Sequence, residues 1–168
     1  LYTNRAFYDL LVSSENQAKV ICFTGGGATG PRENFSAYSA AKAGVVRLTE
    51  TLSVEWSNEN IDINAVAPGA IATGMTEAVI EAGLEQAGES EFAGAQQQQQ
   101  KPQDIEALTR VSELVSYLLS PASDGISGKL ISAVWDPWRS FDDHKNAMMD
   151  SDVFTLRRIV PSDRGLDW

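Results

Sequence analysis

Residues 34–49 read NFSAYSAAKAGVVRLT, and Tyr38 and Lys42 are the pair within them on which the rest of the chain depends. The stretch predicts a helix opened by Asn34 or Ser36 as N-cap and running to about Trp56. Ala41, Val45, Leu48 and Leu52 fall at i, i+4, i+7 and i+11, so one stripe is expected to face a core. Residues four apart on a helix lie one turn apart on the same face, so the phenol and the ammonium can meet. A lysine beside a tyrosine favours the phenolate, an arrangement suited to passing a proton near neutral pH. With four tyrosines in 168 residues chance can supply such a spacing, so the neighbouring segments must decide its meaning.

The neighbours alternate. Residues 1–12 have loosely helical apolar spacing, and SSENQ follows as a turn. KVICFT, 19–24, is a short apolar run suited to a strand buried on both faces of a parallel sheet. GGGATGPREN, 25–34, reads as a flexible glycine-rich loop beside the site. IDINAVAP, 61–68, is a second strand ended by Pro68-Gly69. A short helix is expected near 76–87, then a mobile Gln-rich loop over 88–101, because Gln96 to Gln100 are low complexity. Pro102 and Asp104 open a helix to Ser120 with Leu108, Val111, Leu114, Val115 and Leu118 inward. KLISAVW, 129–135, is a third strand. Residues 136–168, with Trp138, Phe154 and Trp168, read as an extension packed on the surface. This order predicts an α/β layered fold with a parallel sheet and right-handed crossovers.

Composition narrows the function. The chain has enough apolar content, 43%, for a real core, and a formal charge of −10, which disfavours nucleic acid and anionic membranes as partners. Cys22 is alone and reads as a small hydrophobe in an apolar run. His144 is also alone, which excludes a multi-histidine metal site, and FDDHKN around it reads as a solvated loop. No run approaches the ~18 apolar residues of a membrane span, and the cytoplasm is the default expectation. The chain opens on Leu1, partway into a helical pattern, which leads us to expect a fragment of a longer protein.

A literal dinucleotide fingerprint, Gly25-x-Gly27-x-x-Gly30, follows the first strand. That motif must open a helix facing a pyrophosphate; here PREN intervenes. Glu50, about 20 residues on, falls mid-helix and not at a strand's end, where a ribose-binding acid belongs.

With a strand and glycine loop before YSAAK and NAVAPGAIAT after it, the chain resembles the short-chain dehydrogenase/reductase family from about residue 1 to 135. The resemblance implies the C-terminal half of a Rossmann-like, doubly wound parallel sheet, with three strands and flanking helices. It implies an oxidoreductase using NAD or NADP on an alcohol or carbonyl. Tyr38 would be the acid/base, and Lys42 would hold the nicotinamide ribose. Pro68 and Gly69 would shape the loop passing the nicotinamide, while the backbone of Ile71 and the hydroxyl of Thr73 would contact its carboxamide. The intact protein is expected to be a homo-oligomer. Two departures stand out. The family's usual serine thirteen residues before the tyrosine is replaced by Gly25, leaving Thr24 as the nearest hydroxyl. The family's first four strands, roughly 100 residues at about 30 per βα unit, have no counterpart. A non-catalytic fragment or interaction module of the same fold is therefore the alternative from another class. An extended-type nucleotide-sugar epimerase or dehydratase is disfavoured by NAVAPGAIAT.

Overall fold

The computed structural model describes residues 2–100 and 105–168. Three strands form one parallel sheet in the order β1 (Ala18–Phe23), β2 (Ile61–Ala67), β3 (Leu130–Ser132). Ala18 pairs with Ile61 and Phe23 with Val66, while Ala65 to Ala67 pair with Leu130 to Ser132. Because side chains alternate across a strand, the sheet buries two different faces. On one, Val20, Cys22, Ile61 and Ile63 meet Tyr8 and Leu11 of α1 (Tyr2–Val12) and Leu48 and Leu52 of α2 (Ser36–Glu55), with Trp56. On the other, Ile21, Val66 and Ile131 meet Val111, Leu114 and Leu118 of α5 (Ile105–Leu118). Helices on both faces of a parallel sheet give the expected open α/β layering.

Several expectations shift. Val46, Thr49 and Leu52 are the buried face of α2, whereas Ala41 is exposed. The stripe rotates because Val46 packs on Ala65 and Ala28, small residues that let the helix approach closely. Neither proposed side-chain cap opens α2; Phe35 is its N-cap, and Asn34 takes a left-handed φ of 63°, which asparagine tolerates in a turn. In α5, Ala107 is buried and Leu108 is exposed. Pro102 and Asp104, expected to open that helix, lie outside the described residues.

The Gln-rich loop is corrected to a helix: after α3 (Gly74–Ala87), residues Glu89–Gln100 form α4. Glutamine is a good helix former, and Glu89 and Glu91 suit the first turn of a helix dipole. His144 likewise lies on a helix, α6 (Phe141–Met149), and not in a loop. Of the C-terminal segment, Trp168 is 84% exposed as a surface extension would be, but Trp138, Phe141 and Met148 complete the α5 core. Glu50 is buried on α2, where its carboxylate accepts the Leu156 N–H at 2.5 Å and pairs with Arg47. Strand β3 is shorter than 129–135 because Ser132 Oγ accepts the Val134 and Trp135 N–H groups and Asp136 accepts that of Ser132. Such local bonds compete with the ladder.

Candidate active site

The C-terminal ends of β1 and β2 lie side by side, with the Thr24 N–H donating to the Val66 carbonyl at 2.8 Å. In an open parallel sheet this edge is where ligands collect. The first turns of α2 run along it and carry Tyr38 and Lys42, both half-buried. Lys42 Nζ donates to the Phe23 carbonyl at 3.4 Å and lies 5.8 Å from the centre of the Tyr38 ring. The ammonium therefore hangs over the end of β1 beside the phenol, on one long hydrogen bond. The helix spacing anticipated this pairing; the carbonyl that holds the lysine came from the strand.

The glycine loop forms the other wall. Gly26–Ala28 make one 3-10 turn, with Gly27 and Ala28 buried. A Cβ on Gly25 would stand 2.5 Å from Tyr38 Oη, and one on Gly27 would stand 3.1 Å from two ring carbons. The loop is glycine where the phenol lies against its backbone. Here the structure reinterprets the missing serine: the Tyr38 hydroxyl fills the space that a side chain at position 25 would need.

Thr24 is 4% exposed, and its hydroxyl donates to the Lys42 carbonyl at 3.1 Å. Its proton is thus committed to α2, and it braces the turn carrying the lysine instead of offering a free donor to a substrate. Ser39 Oγ lies buried against Gly27 without a hydrogen-bond partner.

Pro68 and Gly69 turn the chain out of β2. Gly69 has φ 87°, and a Cβ there would sit 2.5 Å from Val134 Cγ2, so the turn requires glycine on two grounds. Ile71 packs against the α5 core, which fixes this loop against the sheet. Thr73 is the N-cap of α3; its N–H donates to Thr76 Oγ1 at 3.3 Å. Of the two segments expected around a nicotinamide, 38–42 lies in the first turns of α2 and 68–73 in the connection from β2 to α3.

One residue was not anticipated. Arg32, in the loop before α2, lies 5.2 Å from the Tyr38 ring centre and 4.6 Å from that of Phe35. The two rings meet edge to face at 6.0 Å. Arg32 Nε donates to Glu91 Oε1 of α4 at 2.6 Å, and its Nη2 to the other oxygen of that carboxylate. This fork, chiefly, holds the guanidinium above its usual range. The sequence carried no signal for it, because 59 residues separate the partners. Among the described residues no helix is long and apolar enough to cross a membrane.

A family profile described as Enoyl-(Acyl carrier protein) reductase matches residues 3–133. A short chain dehydrogenase/reductase of Aspergillus oryzae is 36% identical over 103 residues, covering 61% of this chain and 37% of that protein. A 3-oxoacyl-[acyl-carrier-protein] reductase of Thermotoga maritima is 36% identical over 94 residues, covering 56% and 35%. Among solved structures, the aldohexose dehydrogenase of Thermoplasma acidophilum superposes with a TM-score of 0.60 at 18% identity, covering 78% of this chain and 51% of that one. The chain therefore spans about a third to a half of the length of these relatives.

Proposed function

The chain belongs to the short-chain dehydrogenase/reductase family, and we propose that it carries the proton-transfer half of an oxidoreductase acting on an alcohol or carbonyl with NAD or NADP. The observation that carries this reading is the Tyr38–Lys42 face at the C-terminal end of β1, beside the Gly69 turn from β2. Lys42 has three N–H donors and, among the described residues, one long bond, to the Phe23 carbonyl, so ribose hydroxyls suit it. The residues thus fit the nicotinamide end of the cofactor. The glycine loop does not fit the diphosphate: it makes a 3-10 turn of three residues, and α2 starts only at Ser36, so no helix N-terminus stands behind it.

When bound, the cofactor supplies or accepts the hydride at the substrate carbon. In reduction the Tyr38 hydroxyl gives its proton to the oxygen of the former carbonyl; in oxidation it takes that proton back. Lys42 orients the ribose and keeps a positive charge near the phenol. The Ile71 backbone and Thr73 hydroxyl are the groups for the carboxamide, with Pro68 and Gly69 shaping their approach. Thr24 acts through α2 by holding the Lys42 turn.

Calorimetric titration with NADH and NADPH tests this. Binding is expected for the wild type, weakened about tenfold or more in Lys42→Ala and retained in Tyr38→Phe, since a charge-assisted hydrogen bond contributes roughly 1.5–3 kcal/mol. No binding by the wild type would select the second reading, a non-catalytic module of the same fold. Cytoplasmic location and homo-oligomerisation of the intact protein remain part of the proposal.

A further inference from the structure

The Arg32–Glu91 pair is odd for a surface ion pair. Both side chains are about three-quarters buried, at 25% and 23% exposure. The contact is a fork, the geometry in which a guanidinium reads a carboxylate. Arg32 also rests on two aromatic rings, one of them the reacting phenol. Its platform belongs to the site, while its partner belongs to an excursion between β2 and β3.

That excursion is jointed. Gly83 (φ 75°, ψ 171°) interrupts α3, and Gly88 (φ 84°, ψ 154°) separates α3 from α4. Both torsions lie where side-chain-bearing residues rarely go. Of the twelve residues of α4 only Ala95 is buried. Among the described residues, a second side-chain hydrogen bond of α4 runs between Thr76 Oγ1 and Gln98 Oε1 at 3.2 Å, and it joins α4 to α3, within the same excursion. A helix with so little apolar burial gains little from the hydrophobic effect. Among the described residues, the Glu91 carboxylate ties α4 to the loop before α2, and the Gly88 joint lies close to Asn34 of that same loop.

We infer that Arg32 is the carboxylate-binding residue of this active site, that Glu91 occupies it as an internal stand-in, and that the substrates are oxo acids or hydroxy acids whose own carboxylate replaces Glu91. This rests on Tyr38 being the proton-transfer residue. The guanidinium keeps its aromatic platform when α4 moves, so the subsite is preorganised. Two cations, Arg32 and Lys42, then flank one phenol in a chain of net charge −10, which gives an anion a reason to choose this edge. An uncharged ketone would leave the fork closed.

The probes are levulinate, a 4-oxo acid, and 2-pentanone, its uncharged counterpart, titrated into the protein by NMR without nicotinamide. Glu91→Gln removes the internal competitor, so levulinate should bind about five- to thirtyfold more tightly than to wild type, and 2-pentanone equally to both. In Arg32→Gln levulinate binding should be lost; in Arg32→Lys it should survive in weakened form, because charge remains without the fork. Equal response of the two probes, or no gain in Glu91→Gln, would overturn the inference. If levulinate binds as described while NADH does not, the subsite stands and the hydride-transfer reading fails.

Discussion

Replacing Asn64 by alanine should cost this protein a large part of its stability without touching the reacting residues. Asn64 is in the middle of β2 and 2% exposed. Its amide donates to the Ile126 carbonyl at 2.7 Å and accepts the Lys129 N–H at 3.0 Å. These bonds fasten the segment that enters β3, whose next contacts are Gly128 N–H to Ile63 O at 2.7 Å and Ala65 N–H to Lys129 O at 2.8 Å. Alanine leaves a buried carbonyl and a buried N–H without partners, each costing roughly 1–3 kcal/mol. The sum, about 2–6 kcal/mol, compares with a total stability of about 5–15 kcal/mol for a typical domain. At about 2–4 °C per kcal/mol for this chain length, the melting temperature should fall by about 4–24 °C. Urea unfolding followed by circular dichroism measures it, with Asn58→Ala, in the exposed turn after α2, as the control. Asn64→Asp keeps the acceptor for Lys129 but can donate to Ile126 only when protonated. Its deficit relative to wild type should therefore shrink as pH falls from about 7 to 5, since burial raises a carboxyl's pKa. A loss below about 1 kcal/mol in Asn64→Ala, less than one unsatisfied buried group should cost, would refute the account of these two bonds.

Two further outcomes follow from single contacts. Gly25→Ala should push the phenol out of its place, because the new Cβ would stand 2.5 Å from Tyr38 Oη; tyrosine ring NMR signals should shift while the melting temperature changes little, and an unmoved Tyr38 ring would contradict the packing described. The Arg157 guanidinium, aided by the Val160 N–H at 2.8 Å, holds the Asp163 carboxyl down at about 2 against a usual 3.8. A depressed carboxyl favours the folded arrangement above its ordinary value, so this contribution is complete above about pH 4 and is lost as pH falls toward 2. Backbone NMR signals of residues 157–165 should lose dispersion over that window in the wild type, and Asp163→Asn should abolish that step; an identical acid profile in both would sink the assignment.

How much of this was legible differs by residue. The pairing of Tyr38 with Lys42 is readable because helical spacing is a local rule, and the three strands are readable from their apolar runs; burial on both faces holds for β2, whereas β1, expected to share it, is mostly half-buried and ends on an exposed Phe23. The low-complexity reading of residues 96–100 failed because repetition speaks to sequence diversity, not to backbone preference, and glutamine sustains a helix. The surface reading of the C-terminal segment fails at Phe141 and Met148, which with Trp138 fill the α5 side of the sheet; their irregular spacing gives no periodic signal. Thr24 was a plausible donor from its position alone, and only the Lys42 carbonyl above it decided where its proton goes.

Local spacing along the chain sets the alternation of elements and places the phenol and ammonium on one helical face, since each depends on residues within a turn or a strand of one another. Tertiary structure alone decided what surrounds that face. The close approach of Gly25 to Tyr38 Oη, the bracing of Lys42 by Phe23 and Thr24, and the fork from Arg32 to Glu91 join residues 13, 18, 19 and 59 positions apart. Such contacts exist only once the strands have registered and α4 has docked, and no local pattern in the chain encodes them.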